Sequence, residues 1–171
     1  MLDLEDYIRI IPDFPKSGVI FKDITPLLAD KDASAQCLTQ LIDLVNGQKV
    51  DKVVGIESRG FFFGMLLAQK LEAGFVPVRK PGKLPYNTLL EPYKLEYGMD
   101  ALEIHDDAIS KGERVLIHDD VLATGGTAKA VCNLVEKLGG EIVQCNFIME
   151  LSFLDGREKL KRFEAKSLLQ Y

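Results

Sequence analysis

Two adjacent carboxylates, Asp119 and Asp120, stand just before a run of small and hydroxyl-bearing residues in the stretch VLIHDDVLATGGTAKA, 115–130. The run Thr124, Gly125, Gly126, Thr127 offers backbone N–H groups and hydroxyls where a helix is expected to begin, which is a favourable place for a phosphate. Carboxylates would repel a bare phosphate, but they accept hydrogen bonds from the vicinal hydroxyls of a sugar. The stretch therefore predicts a site for a sugar phosphate.

This motif differs from the two common phosphate fingerprints. It contains neither G-x-G-x-x-G nor G-x-x-x-x-G-K-[ST]. Read alone, the same residues could be an exposed strand end followed by a helix N-cap. The apolar run before the acids and the helical pattern after the glycines favour the binding site.

A second group of polar residues follows two other apolar runs. Glu57, Ser58 and Arg59 follow the first, and Arg79, Lys80 and Lys83 lie in VRKPGKLP after the second. In an acidic chain this local basic group suits a polyanion, and solvated surface lysines are the alternative. Phosphate at one end, hydroxyls in the middle and cations at the other end describe a phosphorylated pentose with a second phosphate group.

Composition narrows the class of protein. The chain has 171 residues, 47% hydrophobic and 27% charged, with a net charge of −5. These values predict one folded domain rather than disorder, and exclude a global basic field for nucleic acid or membrane surfaces. The three cysteines lack C-x-x-C spacing and the N-terminus is acidic, so we expect free thiols and a cytoplasmic location.

Apolar periodicity predicts strands alternating with helices. Helices are expected near 3–10, 33–46 (with Asp32 as N-cap), 60–73 and 125–138; strands at 52–56, 75–78, 93–97, 101–105, 114–118 and 141–150; and an ordered loop over 12–28. Such alternation predicts an α/β fold with a central, mainly parallel twisted sheet flanked by helices. Ligands bind outside the carboxyl ends of strands in these sheets, where all three polar segments should lie.

At this point the sequence resembles the phosphoribosyltransferase family, and within it the adenine-specific members. VLIHDDVLATGGT is similar to the family's signature for phosphoribosyl pyrophosphate. The segments FPKSGVIFKDITPLL, ESRGFFFG, RKPGKLP, LEYGMDALEIH, LGGE and DGREKL follow in the family's order, from about residue 10 to the C-terminus. The resemblance implies a type I fold in a single domain, 1–171, with an N-terminal helix and base-binding loop over 1–30 and a flexible flap over 81–98.

The resemblance also implies a reaction. It is the Mg²⁺-dependent transfer of the phosphoribosyl group to N9 of adenine, which yields AMP and pyrophosphate in purine salvage. Mg²⁺ would arrive with the diphosphate and ribose and have no direct protein ligand. A homodimer is implied as well.

Roles for individual residues follow from the matched motifs. The resemblance assigns the 5′-phosphate to Ala123, Thr124, Gly125, Gly126 and Thr127, the ribose hydroxyls to Asp119 and Asp120, and the pyrophosphate to Glu57, Ser58, Arg59, Arg79, Lys80 and Lys83. Arg59 is also assigned to catalysis. A cis peptide bond that does not involve proline is implied in the turn at Glu57-Ser58-Arg59.

The base site is implied by the segment Ile20, Phe21, Lys22 and, on the other face, Val121. One backbone C=O can accept from N6 of adenine while one N–H donates to N1. A 6-oxopurine reverses this pattern and would leave buried groups unpaired, at a cost of ~1–3 kcal/mol each. From its type alone, Phe21 could equally be a core aromatic residue.

Two residues of the flap are assigned to the chemical step. Glu96 matches the carboxylate that handles the purine proton, although by itself it could be a solvated strand residue. Tyr97 would cover the reacting ribose when the flap closes and excludes water.

The sequence departs from the family pattern at His118, where Val or Ile is usual, and at Ser17, where Pro is usual. His118 is interpreted as structural, the alternative being that it couples activity to pH. His105 fits the pattern and has no role derivable from the sequence.

Three other functions share some of these sequence features. A 6-oxopurine phosphoribosyltransferase would typically carry a Lys in the strand after the signature helix, and CNFIMEL has none. A non-catalytic regulator that senses phosphoribosyl pyrophosphate would need a nucleic-acid module. A structural protein would have little use for Arg59, Asp119 and Asp120 together.

Overall fold

The computed structural model describes residues 2–94 and 98–171. Their contacts divide the chain into two compact units, one ending at Gln40 and the other spanning Leu41–Tyr171.

The strands are β1 Arg9–Ile11, β2 Phe21–Asp23, β3 Lys52–Ile56, β4 Gly74–Val78, β5 Thr88–Lys94, β6 Met99–His105, β7 Arg114–Leu122, β8 Glu141–Glu150 and β9 Ala165–Gln170. The helices are α1 Thr25–Ala29, α2 Lys31–Val45, α3 Gly60–Lys70 and α4 Gly126–Leu138, with 3-10 helices at Leu4–Tyr7, Ser152–Leu154 and Gly156–Leu160.

The N-terminal unit differs from its prediction. The helix expected over 3–10 is a single 3-10 turn, because Arg9–Ile11 instead pairs as β1 with β2 in an antiparallel ladder. The segment 12–28, predicted as loop, contains β2 and most of α1. Both elements are too short for periodicity to reveal, and α1 carries Pro26 in its first turn, where proline's missing N–H costs nothing.

The second unit is built on a central parallel sheet, as predicted, and this sheet has five strands. Its strand order is β4-β3-β7-β8-β9, and every neighbouring pair is parallel. Helix α3 connects β3 to β4 and α4 connects β7 to β8, which are the expected crossovers. Strand β9 was missed, and β5 and β6 form a separate antiparallel hairpin.

The start of helix α2 and the end of strand β7 both differ from their predictions. Helix α2 is capped by Asp30, whose Oδ1 accepts from the N–H groups of Asp32 and Ala33 at 3.0 and 2.9 Å, so the prediction of Asp32 as N-cap was wrong. Strand β7 continues to Leu122, so the acid pair lies in the strand and not in the following loop. Asp119 and Asp120 thus belong to a hydrogen-bonded ladder with β8 along this end of the strand.

Burial sets which way the side chains of β7 face. Val115 and Ile117 are fully buried in the core formed with α4 and β8. Successive side chains of a strand point to opposite faces. Asp119 therefore shares a face with Ile117, and Asp120 shares the opposite face with His118. The two acids therefore point to different sides of the strand.

Candidate active site

A cleft of ≈ 320 Å³ lies where β3, β4 and β7 end. Its lining residues are Glu57, Ser58, Arg59, Lys80, Tyr93, Leu102, Asp119, Asp120 and Thr127. Seven of these nine residues belong to the predicted site. The fold thus brings together residues from three segments that are distant in the sequence. Tyr93 and Leu102 were not predicted. They come from the β5–β6 hairpin, whose alternating sequence predicted strands on a flap or sheet edge, and Tyr93 falls within the predicted flap, 81–98.

The acid pair lines this cleft, with Asp120 buried and Asp119 half-buried. Asp120 is 2% exposed and its Oδ2 lies 2.6 Å from Nε of Arg59, while Asp119 Oδ1 accepts from the Asp120 N–H at 2.9 Å. Burial raises the pKa of both carboxyls, and the neighbouring Asp120 charge raises that of Asp119 further. For Asp120 the Arg59 guanidinium works against this rise in pKa. Hydrogen-bond donors brought by a ligand would therefore stabilise the ionised form of these carboxylates.

Close backbone packing lets Arg59 reach the acids. A Cβ on Gly60, at the start of α3, would lie 2.8 Å from the carbonyl oxygen of His118 and 3.0 Å from Oδ1 of Asp119. Only glycine permits this approach without displacing β7. The Glu57–Ser58 peptide bond in the same turn is cis, as the resemblance implied.

A smaller pocket of ≈ 70 Å³ adjoins the acids and is formed by the predicted phosphate loop. It is lined by Asp119, Val121, Leu122, Ala123, Thr124, Gly125, Thr127 and Ala128. Gly125 has φ +73° at the N-terminus of α4, and Gly156 packs directly against it. Gly126 instead lines a neighbouring pocket with Lys129 and Lys159.

Two of the basic side chains, Arg79 and Lys83, are organised by one carboxylate whose side chain is only 8% exposed. Glu57 forms ion pairs with Arg79 (3.3 Å) and Lys83, and accepts from the Lys80 N–H at 2.8 Å. Burial by itself would raise the pKa of Glu57, but the hydrogen bonds from Lys83, Lys80 and Arg79 outweigh it and lower the pKa. Glu57 thus positions these cations and partly neutralises them. Arg79 and Lys83 contact Glu57 and do not line the cleft itself.

The predicted base-binding residues lie in both units. Phe21 and Lys22 are half-buried in β2, beside Ile20, and the Phe21 ring packs edge-on against Phe14 with centroids 5.2 Å apart. Val121 lies in β7 and lines the phosphate-loop pocket. Their role in binding a base stays a prediction. Glu96 and Tyr97 lie outside the described residues.

His118 is buried beside the acid pair. Its Nδ1 lies 2.8 Å from Oδ1 of Asn146, while Nε2 has no hydrogen-bond partner among the described residues. Burial lowers the pKa of His118 to about 4, against a smaller opposing effect of the Asn146 bond. The ring is consequently neutral near pH 7, in keeping with a structural role. His105 packs edge-on against Tyr86, with centroids 6.1 Å apart.

Comparisons with known proteins agree with this geometry. A family model described as a phosphoribosyl transferase domain matches residues 22–168. The adenine phosphoribosyltransferase of Flavobacterium johnsoniae is 66% identical over 99% of this chain and 100% of its own length, and that of Christiangramia forsetii is 62% identical over 99% of each.

Solved structures agree as well. The adenine phosphoribosyltransferase of Thermoanaerobacter pseudethanolicus superposes with a TM-score of 0.96 at 52% identity, covering 99% of this chain and 100% of that one. The Saccharomyces cerevisiae enzyme, solved with adenine and an imino-altritol bisphosphate, has a TM-score of 0.91 at 42% identity over 97% and 96% of the two chains. The chain therefore belongs to the phosphoribosyltransferase family, in the branch formed by the adenine phosphoribosyltransferases.

Proposed function

We propose that the protein transfers the 5-phosphoribosyl group of phosphoribosyl pyrophosphate to N9 of adenine, releasing AMP and pyrophosphate. One observation carries the proposal: the acid pair lies between a loop pocket suited to phosphate and a set of cations organised by Glu57. The order of groups along the cleft matches the order of groups in the sugar substrate. The activity named for the 66% identical relative gives independent support.

Each group of residues then has one role. The loop from Ala123 to Thr127 binds the 5′-phosphate, Asp119 and Asp120 accept hydrogen bonds from the ribose hydroxyls, and the pyrophosphate meets Ser58, Arg59 and Lys80, with Arg79 and Lys83 held nearby by Glu57. As pyrophosphate leaves, positive charge develops on the ribose ring and negative charge on the departing oxygens. The carboxylates stabilise the first charge and the cations the second.

Magnesium belongs with the diphosphate in this proposal. Among residues 2–94 and 98–171 there is no cluster of three or more His, Cys, Asp or Glu side chains that could enclose a metal ion. The ion would be held by oxygens of the diphosphate and ribose and by waters, with no direct protein ligand, because Mg²⁺ loses its waters reluctantly and usually binds through substrate phosphates. When bound, Mg²⁺ would neutralise charge on the leaving pyrophosphate.

Base recognition is assigned to the backbone of Ile20–Lys22, and an apolar contact with the base is assigned to Val121. Glu96 takes the proton from the purine nitrogen, and Tyr97 covers the ribose. These roles rest on the resemblance of the segments VIFKD and LEYG.

We further propose a homodimer located in the cytoplasm. Support for the dimer comes from α3, which exposes Phe62, Met65 and Leu66 by 50%, 54% and 41%. Apolar residues this exposed on one helix are typical of protein interfaces.

Support for the cytoplasmic location comes from Cys37, Cys132 and Cys145, which are all buried free thiols. No helix among the described residues has both the length and the apolar character to span a membrane.

The function is tested by incubating the protein with phosphoribosyl pyrophosphate, Mg²⁺ and equal amounts of adenine, hypoxanthine and guanine, then separating the nucleotides. We expect AMP to dominate, and its formation to stop when EDTA removes Mg²⁺ and to resume when Mg²⁺ is restored. IMP or GMP as the main product would overturn the base-site assignment. Absence of any nucleotide would favour a binding protein over an enzyme.

A further inference from the structure

The ammonium group of Lys80 is held by two side chains that no sequence motif or family assignment has given a role. Nζ donates to the Tyr93 hydroxyl at 2.9 Å and forms an ion pair with Asp100. The Tyr93 hydroxyl in turn donates to Oδ2 of Asp100 at 3.1 Å. Oδ1 of Asp100 accepts from the Ala101 N–H at 2.8 Å, so this carboxylate is itself fixed to the backbone.

The backbone brings these three side chains together. Tyr93 and Asp100 are directly opposite each other in the β5–β6 ladder. The same hairpin is joined to the segment that carries Lys80 by reciprocal bonds between Arg79 and Glu103, at 2.9 and 2.7 Å. The β5–β6 hairpin therefore contacts both the Lys80 side chain and the backbone of the residue before it.

The arrangement leaves one donor of Lys80 available. An ammonium group has three N–H donors, and Tyr93 and Asp100 engage two of them. Lys80 and Tyr93 line the cleft, whereas Asp100 is not one of its lining residues. The hydrogen bond from Lys80 is the main cause of the lowered pKa of Asp100, so the carboxylate stays ionised at neutral pH.

We propose that Tyr93 and Asp100 are positioning residues, which hold the Lys80 ammonium at the diphosphate end of the cleft with one N–H directed at the ligand. A free lysine loses much rotamer freedom when it binds an anion, and prior fixation avoids that cost. The inference rests on the proposed function, because it takes the ligand at this end to be pyrophosphate or the diphosphate of the sugar substrate.

The test measures two ligands on the same variants. Dissociation constants for pyrophosphate with Mg²⁺ and for AMP are determined by titration calorimetry for the full chain and for Asp100→Ala, Asp100→Asn and Tyr93→Phe. We expect Asp100→Ala, which removes the charged partner of Lys80, to weaken pyrophosphate binding about 10-fold. Asp100→Asn and Tyr93→Phe should weaken it less, because the Asn oxygen can still accept from the ammonium and Phe leaves the Asp100 ion pair in place. AMP binding should stay within about 2-fold of the parent, because AMP occupies the phosphate loop and ribose site.

Matched controls are Asp107→Asn, the same charge change at an exposed residue, and Tyr7→Phe, the same hydroxyl loss in the 3-10 helix Leu4–Tyr7, which does not line the cleft. Both should bind pyrophosphate like the parent. Unchanged pyrophosphate affinity in Asp100→Ala and Tyr93→Phe would overturn the inference, and so would an equal loss for both ligands, which indicates a general structural effect. The proposed function itself fails if the parent binds neither ligand and forms no AMP. That failure is seen in the parent protein, whereas failure of the inference is seen only by comparing the variants with the parent.

Discussion

His118 illustrates how one substitution in a family motif is accommodated. The imidazole occupies a fully buried position on β7, where its Nδ1 bonds to Asn146, and Asn146 Nδ2 donates to the Leu41 carbonyl at 3.3 Å in helix α2. A polar side chain thus replaces the apolar contact that Val or Ile would make, and Asn146 compensates for half of its hydrogen-bonding capacity. The remaining cost is that the ring must stay neutral.

We expect that cost to appear as a pH-dependent stability. The pKa of His118 is about 4 in the folded protein and 6.5 when unperturbed, so the unfolded chain binds more protons between these values. Stability is therefore retained above pH 6.5 and falls as pH drops toward 4, below which this contribution levels off. Relative to pH 7.5, the free energy of unfolding at pH 4.5 should lose about 2–3 kcal/mol through this residue.

The measurement is urea unfolding at pH 7.5 and 4.5 for the parent, His118→Val and the control His105→Gln. His118→Val should lose less stability between the two pH values than the parent by about 2–3 kcal/mol, whereas His105→Gln should follow the parent. Equal losses in all three proteins would show that His118 is not the buried titrating group.

The phosphate loop depends on a contact between elements far apart in sequence. Gly125 is the N-cap of α4 and has φ +73°, and a Cβ there would overlap the carbonyl oxygen of Gly156, at the start of the 3-10 helix Gly156–Leu160. A Cβ on Gly156 would likewise overlap the carbonyl oxygen of Ala123. The segment DGREKL therefore shapes the loop from behind without lining its pocket.

We expect Gly125→Ala to damage binding beyond the effect of backbone strain. Gly112 has φ +83° and no atom within 4 Å of an added Cβ, so Gly112→Ala is the matched control. Both variants should lose about 1 kcal/mol of stability from the left-handed conformation. Only Gly125→Ala should raise the KM for phosphoribosyl pyrophosphate, by about 10-fold or more, since one lost charge-assisted bond has that effect. Equal KM values for the two variants in steady-state assays would refute the shaping role of the contact.

Assembly of the whole molecule is predicted to involve α3. Phe63 and Leu67 are buried in the protein, while Phe62, Met65 and Leu66 are exposed, so the helix is apolar on more than one face. A helix that is apolar all round is normally covered on both sides.

We expect the parent to sediment at twice the chain mass and Met65→Glu to shift toward the monomer, because a charge in a desolvated interface lacks a partner. Phe153→Glu, at a 71% exposed ring in a 3-10 helix, is the control and should sediment like the parent. Analytical ultracentrifugation across a range of concentrations distinguishes these states. An unchanged dimer in Met65→Glu would place the interface on another surface.

Local patterns were sufficient for several features of this protein. The acid pair, the Gly-Gly turn and the helix after it are adjacent in the chain, so their chemistry could be read directly from VLIHDDVLATGGT. The buried strands and their crossover helices have strong periodicity, and the parallel α/β fold followed from their alternation. The predictions failed at Arg9–Ile11, Phe21–Asp23 and Ala165–Gln170, where the elements are short or the pairing partner is remote.

Contacts between distant segments were decided only by the tertiary structure. Periodicity identifies β3, β4 and β7 as strands, but it does not say which of them are neighbours. The order β4-β3-β7 brings the ends of these strands together and places Glu57 against Lys83 and Arg59 against Asp120. The hairpin adds Tyr93 and Asp100 to Lys80 in the same way. Such partners are selected by the free energy of packing the whole sheet and hairpin, a sum over many weak contacts that no single stretch of sequence contains.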